Sequence, residues 1–177
     1  MRIIAGNLGG RNFDPPRGHR THPMSEKMRG ALFAVLGDIE GLTVLDGFSG
    51  SGALSFEALS RGAKEALAIE SDRQAQDTIT QNITSLGLQN SCQLIRANTS
   101  SWADNNSDVQ FDLVLCDPPY DDLQLKLLEK LATHTKISGT YVLSYPGANE
   151  VPKLTGLELL TAKSYGDSQL AFYRKLS

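Results

Sequence analysis

Blocks of apolar and polar positions alternate along the chain from about residue 41 onward. Short apolar runs that end in a polar residue predict strands at 42–46, 64–70, 92–96, 111–116 and 140–145. Apolar residues at helical spacing predict helices at 51–60, 72–86 and 123–133, the second of them capped by Asp72 and Gly87. Repeated strand–helix units are typical of a parallel sheet with helices on both faces.

The two ends of the chain depart from this alternation. Segments 157–163 and 169–174 are joined by a turn at Gly166-Asp167 without a helix, which predicts an antiparallel strand pair. Segments 2–5 and 11–13 flank a glycine-containing turn typical of a β-hairpin, and Pro23 opens a helix that runs to about residue 36. We therefore expect an α/β fold with a mostly parallel seven-stranded sheet, in one domain over 1–177: a hairpin-and-helix extension (1–40) and a core (41–177).

Composition excludes several classes of protein. With 177 residues, 40% of them hydrophobic, the chain differs from disordered sequences and from disulfide-stapled miniproteins. No apolar run approaches the ~18 residues of a membrane span, and the first residues lack a signal-peptide core. Cys92 and Cys116 lie among apolar residues, so we expect structural thiols rather than a disulfide or a metal site, and a cytoplasmic protein.

Charge is distributed unevenly around a net value of −3. Residues 1–30 contain six bases against two acids, and residues 31–177 contain 11 bases against 18 acids. A basic arm on an acidic body suggests contact with a polyanion, although a solubilising surface explains the charge equally well.

The segment 44–52 joins a predicted buried strand to a helix through a glycine-rich loop. Gly47, Gly50 and Gly52 allow a sharp turn and close approach of a ligand, and we favour a ligand site over an empty turn. Ser55 occupies the third position of a dinucleotide fingerprint, and Asp46 would oppose a pyrophosphate. An acidic strand end suits the cationic groups of S-adenosylmethionine instead.

Two further strand ends contribute candidate contacts to this methyl donor. Glu70 could accept both ribose hydroxyls or be a solvated charge, and Asn98 could accept the adenine amino group or cap the next helix. The candidate donor site comprises Asp46, Gly47, Phe48, Gly50, Ser51, Gly52, Glu70, Ser71, Asn98 and Thr99.

The tetrapeptide Asp117-Pro118-Pro119-Tyr120 follows a predicted buried strand and indicates the chemistry. An exocyclic amino group on a nucleobase is a poor nucleophile, because its lone pair is delocalised into the ring. Asp117 and the Pro118 carbonyl can accept its N–H bonds and so direct the lone pair toward a methyl group. Pro119 would fix the backbone and Tyr120 would stack on the base. A proline-rich loop without chemistry is the alternative.

Together these residues resemble the bacterial 16S rRNA (guanine(966)-N(2))-methyltransferase family of the RsmD type, within the Rossmann-like class I S-adenosylmethionine-dependent methyltransferases. The residues that match are 2–6, 10–11, 20–21, 23, 29, 32–33, 57–63, 117–120 and 165–167, together with the loop segment from 44–46 through 52–54. The donor loop and Asp-Pro-Pro-Tyr recur in many amino-methyltransferases, whereas the N-terminal segments and 57–63 narrow the resemblance to this family. Departures from its usual residues occur at His22, Gly30, Gly47, Ser49 and Asn98.

The resemblance implies a class I methyltransferase fold, S-adenosylmethionine as donor, no metal, and N2 of one guanine in 16S rRNA as target. It also implies a small ribosomal subunit or its assembly intermediate as partner, no membrane contact, and a monomer. The candidate RNA contacts are Arg2, Arg11, Arg17, Arg20 and His22. From the residues alone, the alternatives are methylation of adenine N6 or protein glutamine, a less favoured nicotinamide dehydrogenase and, from a different class, a non-catalytic RNA-binding module with a retained donor pocket.

Overall fold

The computed structural model describes residues 1–16 and 23–177. The strands are β1 (Thr43–Asp46), β2 (Glu65–Glu70), β3 (Cys92–Arg96), β4 (Phe111–Cys116), β5 (Thr135–Pro146), β6 (Leu157–Tyr165) and β7 (Ser168–Lys175). The helices are α1 (Glu26–Leu36), α2 (Ala53–Ser60), α3 (Arg73–Leu86), α4 (Thr99–Asn105) and α5 (Leu125–Ala132).

These strands form one seven-stranded sheet in the order β3-β2-β1-β4-β5-β7-β6. Strands β1 to β5 pair in parallel, so their carboxyl ends meet at one edge. Strand β7 lies between β5 and β6 and is antiparallel to both. The predicted mostly parallel sheet with a C-terminal antiparallel pair is confirmed.

Strand β5 is longer than the predicted 140–145. It begins at Thr135, and its pairing with β4 shifts register between Phe111 and Leu113. Ser138 adopts a left-handed conformation (φ 64°) before Gly139, which interrupts the apolar pattern. The sequence therefore showed only the regular second half of the strand.

The predicted N-terminal hairpin is present but short: Arg2 and Asn12 form an antiparallel bridge, Met1 and Phe13 exchange two backbone hydrogen bonds, and the Ile3 N–H donates to the Arg11 carbonyl. The next backbone N–H groups, of Ile4 and Ala5, donate to the Glu57 carboxylate in α2, at 2.9 and 3.1 Å. Glu57 thus takes the place of a strand partner for these two residues and docks the segment on the core.

Glu57 anchors this segment through several simultaneous contacts. Its fully buried carboxylate also accepts from the Arg61 Nε at 2.8 Å and lies 3.5 Å from the Arg29 Nε. Arg29 is itself fully buried and donates to the Arg2 carbonyl. Burial lowers the pKa of Arg29, and the Glu57 carboxylate opposes that shift. Residues from three distant family-typical segments therefore meet in one buried structural cluster.

Successive residues of the central strands pack into different halves of the core. Val44 and Leu113 join the cluster that includes Ile3 and Phe13, and Leu45 lies in the opposite cluster. Both cysteines are buried and free, as predicted: Cys92 packs in the cluster with Ile3, and Cys116 packs in the cluster with Leu45. Within residues 1–16 and 23–177, no helix is both long enough and apolar enough to cross a membrane.

Candidate active site at the carboxyl edge of the sheet

Three carboxylates lie at the carboxyl ends of three neighbouring strands. Asp46 ends β1 and pairs in register with Ala68 of β2 and Leu115 of β4. Glu70 and Asp117 therefore each stand two residues beyond the level of Asp46. The sheet topology brings together the acidic residues that the sequence placed at separate strand ends.

The glycine-rich loop is tied to the neighbouring strand ends. The Gly50 N–H donates to the Glu70 Oε2 at 2.8 Å, and the Ser49 N–H donates to the Ile69 carbonyl at 3.1 Å. The Thr99 hydroxyl donates to the Gly47 carbonyl at 2.9 Å. Loop, β2 and α4 thus form one connected rim around the candidate donor site.

The Asp46 carboxylate is only partly hydrogen-bonded, so it is suited to pair with a cationic group. It is fully buried; its Oδ2 accepts from the Ser55 hydroxyl at 2.8 Å, and its Oδ1 has no hydrogen-bond partner within residues 1–16 and 23–177. Burial raises the pKa of Asp46 to about 7, opposed by the Ser55 hydrogen bond and reinforced by the negative charges of Asp117 and Glu70. Ser55 is therefore part of the site, although in the sequence it was notable only because it replaces the third glycine of a dinucleotide fingerprint.

Gly52 is required by the loop itself. Its φ is 79°, and a Cβ there would lie 2.6 Å from the Phe56 ring. A larger residue would therefore collide with α2 of the protein, whether or not it also approached a ligand.

Asn98 is the N-cap of α4. Its side-chain oxygen accepts from the Ser101 N–H at 3.1 Å, so the capping alternative is present in the structure. Asn98 and Ser71 are exposed and border an open depression lined also by Arg73, Gln76, Asp77, Arg96 and Ala97. Phe48 is half-buried and Ser51 is buried. Their contact with a donor stays a prediction.

The Asp-Pro-Pro-Tyr loop begins immediately after β4. Burial raises the pKa of Asp117 to about 6, and the Ser144 hydroxyl opposes this rise. Pro118 is buried and Pro119 is exposed, whereas the Tyr120 side chain is 38% exposed. The Tyr120 hydroxyl lies 2.6 Å from the Ser144 Oγ, so the ring is tethered at one end and accessible on its surface.

Arg2 and Arg11, the two candidate RNA contacts that the structure describes, have partners within the protein. Arg2 forms an exposed ion pair with Glu26 at 2.9 Å. Arg11 donates to the carbonyls of Ser85 and Leu86 at 2.7 and 3.3 Å, at the end of α3. Because α3 starts at the carboxyl edge and returns, Arg11 lies toward the opposite edge from Asp117. The contact of Arg2 and Arg11 with RNA stays a prediction. Arg17, Arg20 and His22, the other predicted RNA contacts, lie outside the described residues.

Comparison with known proteins decides the family. The family model described as "Conserved hypothetical protein 95" matches residues 1–174. The chain belongs to this family, the RsmD-type methyltransferases. The predicted resemblance is confirmed, and the protein is a methyltransferase.

Relatives match over different lengths. The chain is 31% identical to "Putative rRNA methyltransferase YlbH" of Bacillus subtilis strain 168, over 99% of both chains. It is 34% identical to "Ribosomal RNA small subunit methyltransferase D" of Escherichia coli K12, over 68% of this chain and 60% of that one. The solved structure of "Putative methyltransferase yhhF" from Escherichia coli superposes with a TM-score of 0.88 at 28% identity, over 99% of this chain and 98% of that one. The fold is that of the class I methyltransferases.

Proposed function

We propose that this methyltransferase moves a methyl group from S-adenosylmethionine to the exocyclic N2 amino group of a guanine in 16S rRNA. The observation that supports this most is the position of Asp117: it opens an Asp-Pro-Pro-Tyr loop beside an acidic strand edge. The names of the relatives, which refer to ribosomal RNA and its small subunit, support the substrate class. We propose the small ribosomal subunit or its assembly intermediate as the partner.

The residues at the strand ends fit this donor. Asp46 offers the ammonium group a buried oxygen that no described residue hydrogen-bonds, and Glu70 offers a carboxylate to the ribose hydroxyls. Bound there, S-adenosylmethionine supplies an electrophilic methyl group on a positively charged sulfur. Glycines at 50 and 52, with φ of 52° and 79°, shape the turn beside it.

The Asp-Pro-Pro-Tyr loop orients the acceptor. With a pKa of about 6, Asp117 is ionised at neutral pH and acts as a hydrogen-bond acceptor. Together with the Pro118 carbonyl it holds the amino group so that the nitrogen lone pair faces the donor site. As the nitrogen acquires positive charge, the nearby carboxylate stabilises it.

Donor binding should depend on pH through Asp46. The ammonium group binds the ionised carboxylate, so affinity is lost as pH falls through the raised pKa of about 7. We expect affinity for S-adenosylhomocysteine, measured by calorimetry, to fall about tenfold from pH 8 to pH 6. Asp46→Asn should weaken binding by about 30-fold or more at pH 8 and remove the pH dependence. NAD should not bind, and tight binding of NAD without binding of S-adenosylhomocysteine would contradict the donor assignment.

Tyr120 should contribute to capture of the base. If its exposed ring stacks on the guanine, Tyr120→Ala should weaken substrate binding by ~1–3 kcal/mol, whereas Tyr120→Phe keeps the stacking surface and should lose much less. The measurement is the KM for small subunits under saturating donor. Equal effects of both substitutions would show that the hydroxyl, rather than the ring, matters.

Substrate class is tested with labelled donor and four acceptors: small subunits from cells that lack the gene, free 16S rRNA, double-stranded DNA and bulk protein. We expect methylation of the small subunits at a guanine. Label in adenine or glutamine would replace this proposal, and donor binding without transfer to any acceptor would indicate a non-catalytic module.

A further inference from the structure

Ser144 is a buried hydroxyl in β5 at the level of the Asp-Pro-Pro-Tyr loop. Cys116 pairs in register with Leu143, so Ser144 lies beside Asp117, which follows Cys116. Only 1% of Ser144 is exposed, and both its neighbours in the strand, Leu143 and Tyr145, are fully buried. A polar group at this position needs partners, because an unsatisfied hydroxyl in the core is costly.

The loop provides those partners. The Ser144 Oγ is 2.6 Å from the Tyr120 hydroxyl, and the register of β4 and β5 places Ser144 beside Asp117, whose raised pKa the Ser144 hydroxyl opposes. Ser144 thus lies between the first and the last residue of the Asp-Pro-Pro-Tyr motif. We propose that Ser144 is a positioning residue for methyl transfer, which orients the Asp117 carboxylate and the Tyr120 ring at the same time. This inference rests on the proposed function for its catalytic consequence.

The number of hydroxyl protons limits which group can donate and which can accept. Ser144 has one hydroxyl proton, and an ionised carboxylate can only accept. To orient both residues, Ser144 would direct that proton to Asp117 and accept from the Tyr120 hydroxyl. In this arrangement Tyr120, Ser144 and Asp117 form an ordered series, which leaves the remaining acceptor positions of Asp117 for the substrate amino group.

The same link opposes the effect of burial on Asp117. Burial favours the protonated acid, and the nearby Asp46 carboxylate is a like charge at the same edge. The neighbouring Cys116 thiol is neutral, because burial raises its pKa above the usual range. Among these groups, Ser144 is the one that stabilises the ionised, hydrogen-bond-accepting form of Asp117.

Removal of the hydroxyl tests the inference. Ser144→Ala should lower kcat for small-subunit methylation roughly tenfold, the usual scale for one oriented hydrogen bond. It should also move the acid limb of the pH–rate profile to higher pH, because the pKa of Asp117 rises. Tyr120→Phe should lower the rate less, and the double substitution should be no worse than Ser144→Ala alone, because both break the same series.

Thr135→Val is the matched control. Thr135 lies in the same strand at the opposite edge, is fully buried, and its hydroxyl has no hydrogen-bond partner among the described residues. This substitution should leave kcat, KM and the acid limb unchanged. An equal effect of Thr135→Val and Ser144→Ala would mean that β5 is merely sensitive to substitution, which would overturn the inference.

A second measurement does not depend on catalysis. Titration of the Asp117 side-chain carbon by NMR should give a higher pKa in Ser144→Ala than in the wild-type protein. An unchanged pKa, with an unchanged rate, would overturn the role of Ser144 even if the wild-type protein methylates small subunits. A raised pKa in a protein that methylates no RNA would instead reject the proposed function and retain the contact.

Discussion

Replacing Asp117 by alanine should lower the rate of methyl transfer by roughly 100-fold or more, the usual loss for one oriented charge-stabilising group. The donor affinity should stay within a few-fold of wild type, because the loop follows β4 whereas the candidate donor contacts follow β1, β2 and β3. Single-turnover kinetics with calorimetry of S-adenosylhomocysteine would measure both effects.

Two controls sharpen this prediction. Asp117→Asn keeps the shape but replaces one acceptor with a donor, so it should be nearly as slow as Asp117→Ala. Asp108→Ala removes an exposed carboxylate before the amino end of β4 and should leave the rate unchanged. Parallel losses of donor binding and rate in Asp117→Ala would show that this carboxylate has a structural role.

Glu57→Gln should lower the free energy of unfolding by about 3–5 kcal/mol, because it leaves Arg29 buried without its counter-charge. Both carboxylate oxygens accept hydrogen bonds, from Ile4 and Ala5, so an amide nitrogen at either position faces an N–H donor. For a chain of this length the loss corresponds to a fall in Tm of roughly 6–20 °C. Urea unfolding at neutral pH measures it directly.

Glu26→Gln is the corresponding control. The Glu26 ion pair with Arg2 has side chains 43% and 57% exposed, so its loss should cost less than about 1 kcal/mol. If Glu57→Gln were as mild as Glu26→Gln, the buried cluster would not hold the N-terminal segment. In that case the buried positions of Ile3 and Phe13 would need another explanation.

The catalytic edge was accessible to sequence reasoning because parallel strands end together. Asp46, Glu70 and Asp117 each follow an apolar run, and the pairing of β1 with β2 and β4 makes them neighbours. The bounds of β3 and β4 were predicted correctly, since both are short apolar runs flanked by polar residues. A local pattern was enough for these regular strands, but not for the irregular first half of β5.

Contacts between distant segments could not be predicted in this way. Ser144 is 24 residues from Tyr120, and Glu57 is 53 residues from Ile4, so no spacing rule links either pair. Arg11 illustrates the same limit. Its charge suggested an RNA contact, whereas the structure gives it the carbonyl groups at the end of α3. The charge of a residue does not by itself show which group that residue contacts in the folded protein.

The most direct measurement of the central claim is mass-spectrometric mapping of 16S rRNA from cells with and without the gene. The account predicts that one guanine loses its N2-methyl group when the gene is deleted. Wild-type protein should restore that methyl group, and Asp117→Ala at equal abundance should not. An identical set of methylated nucleotides in the two strains would contradict the proposed function.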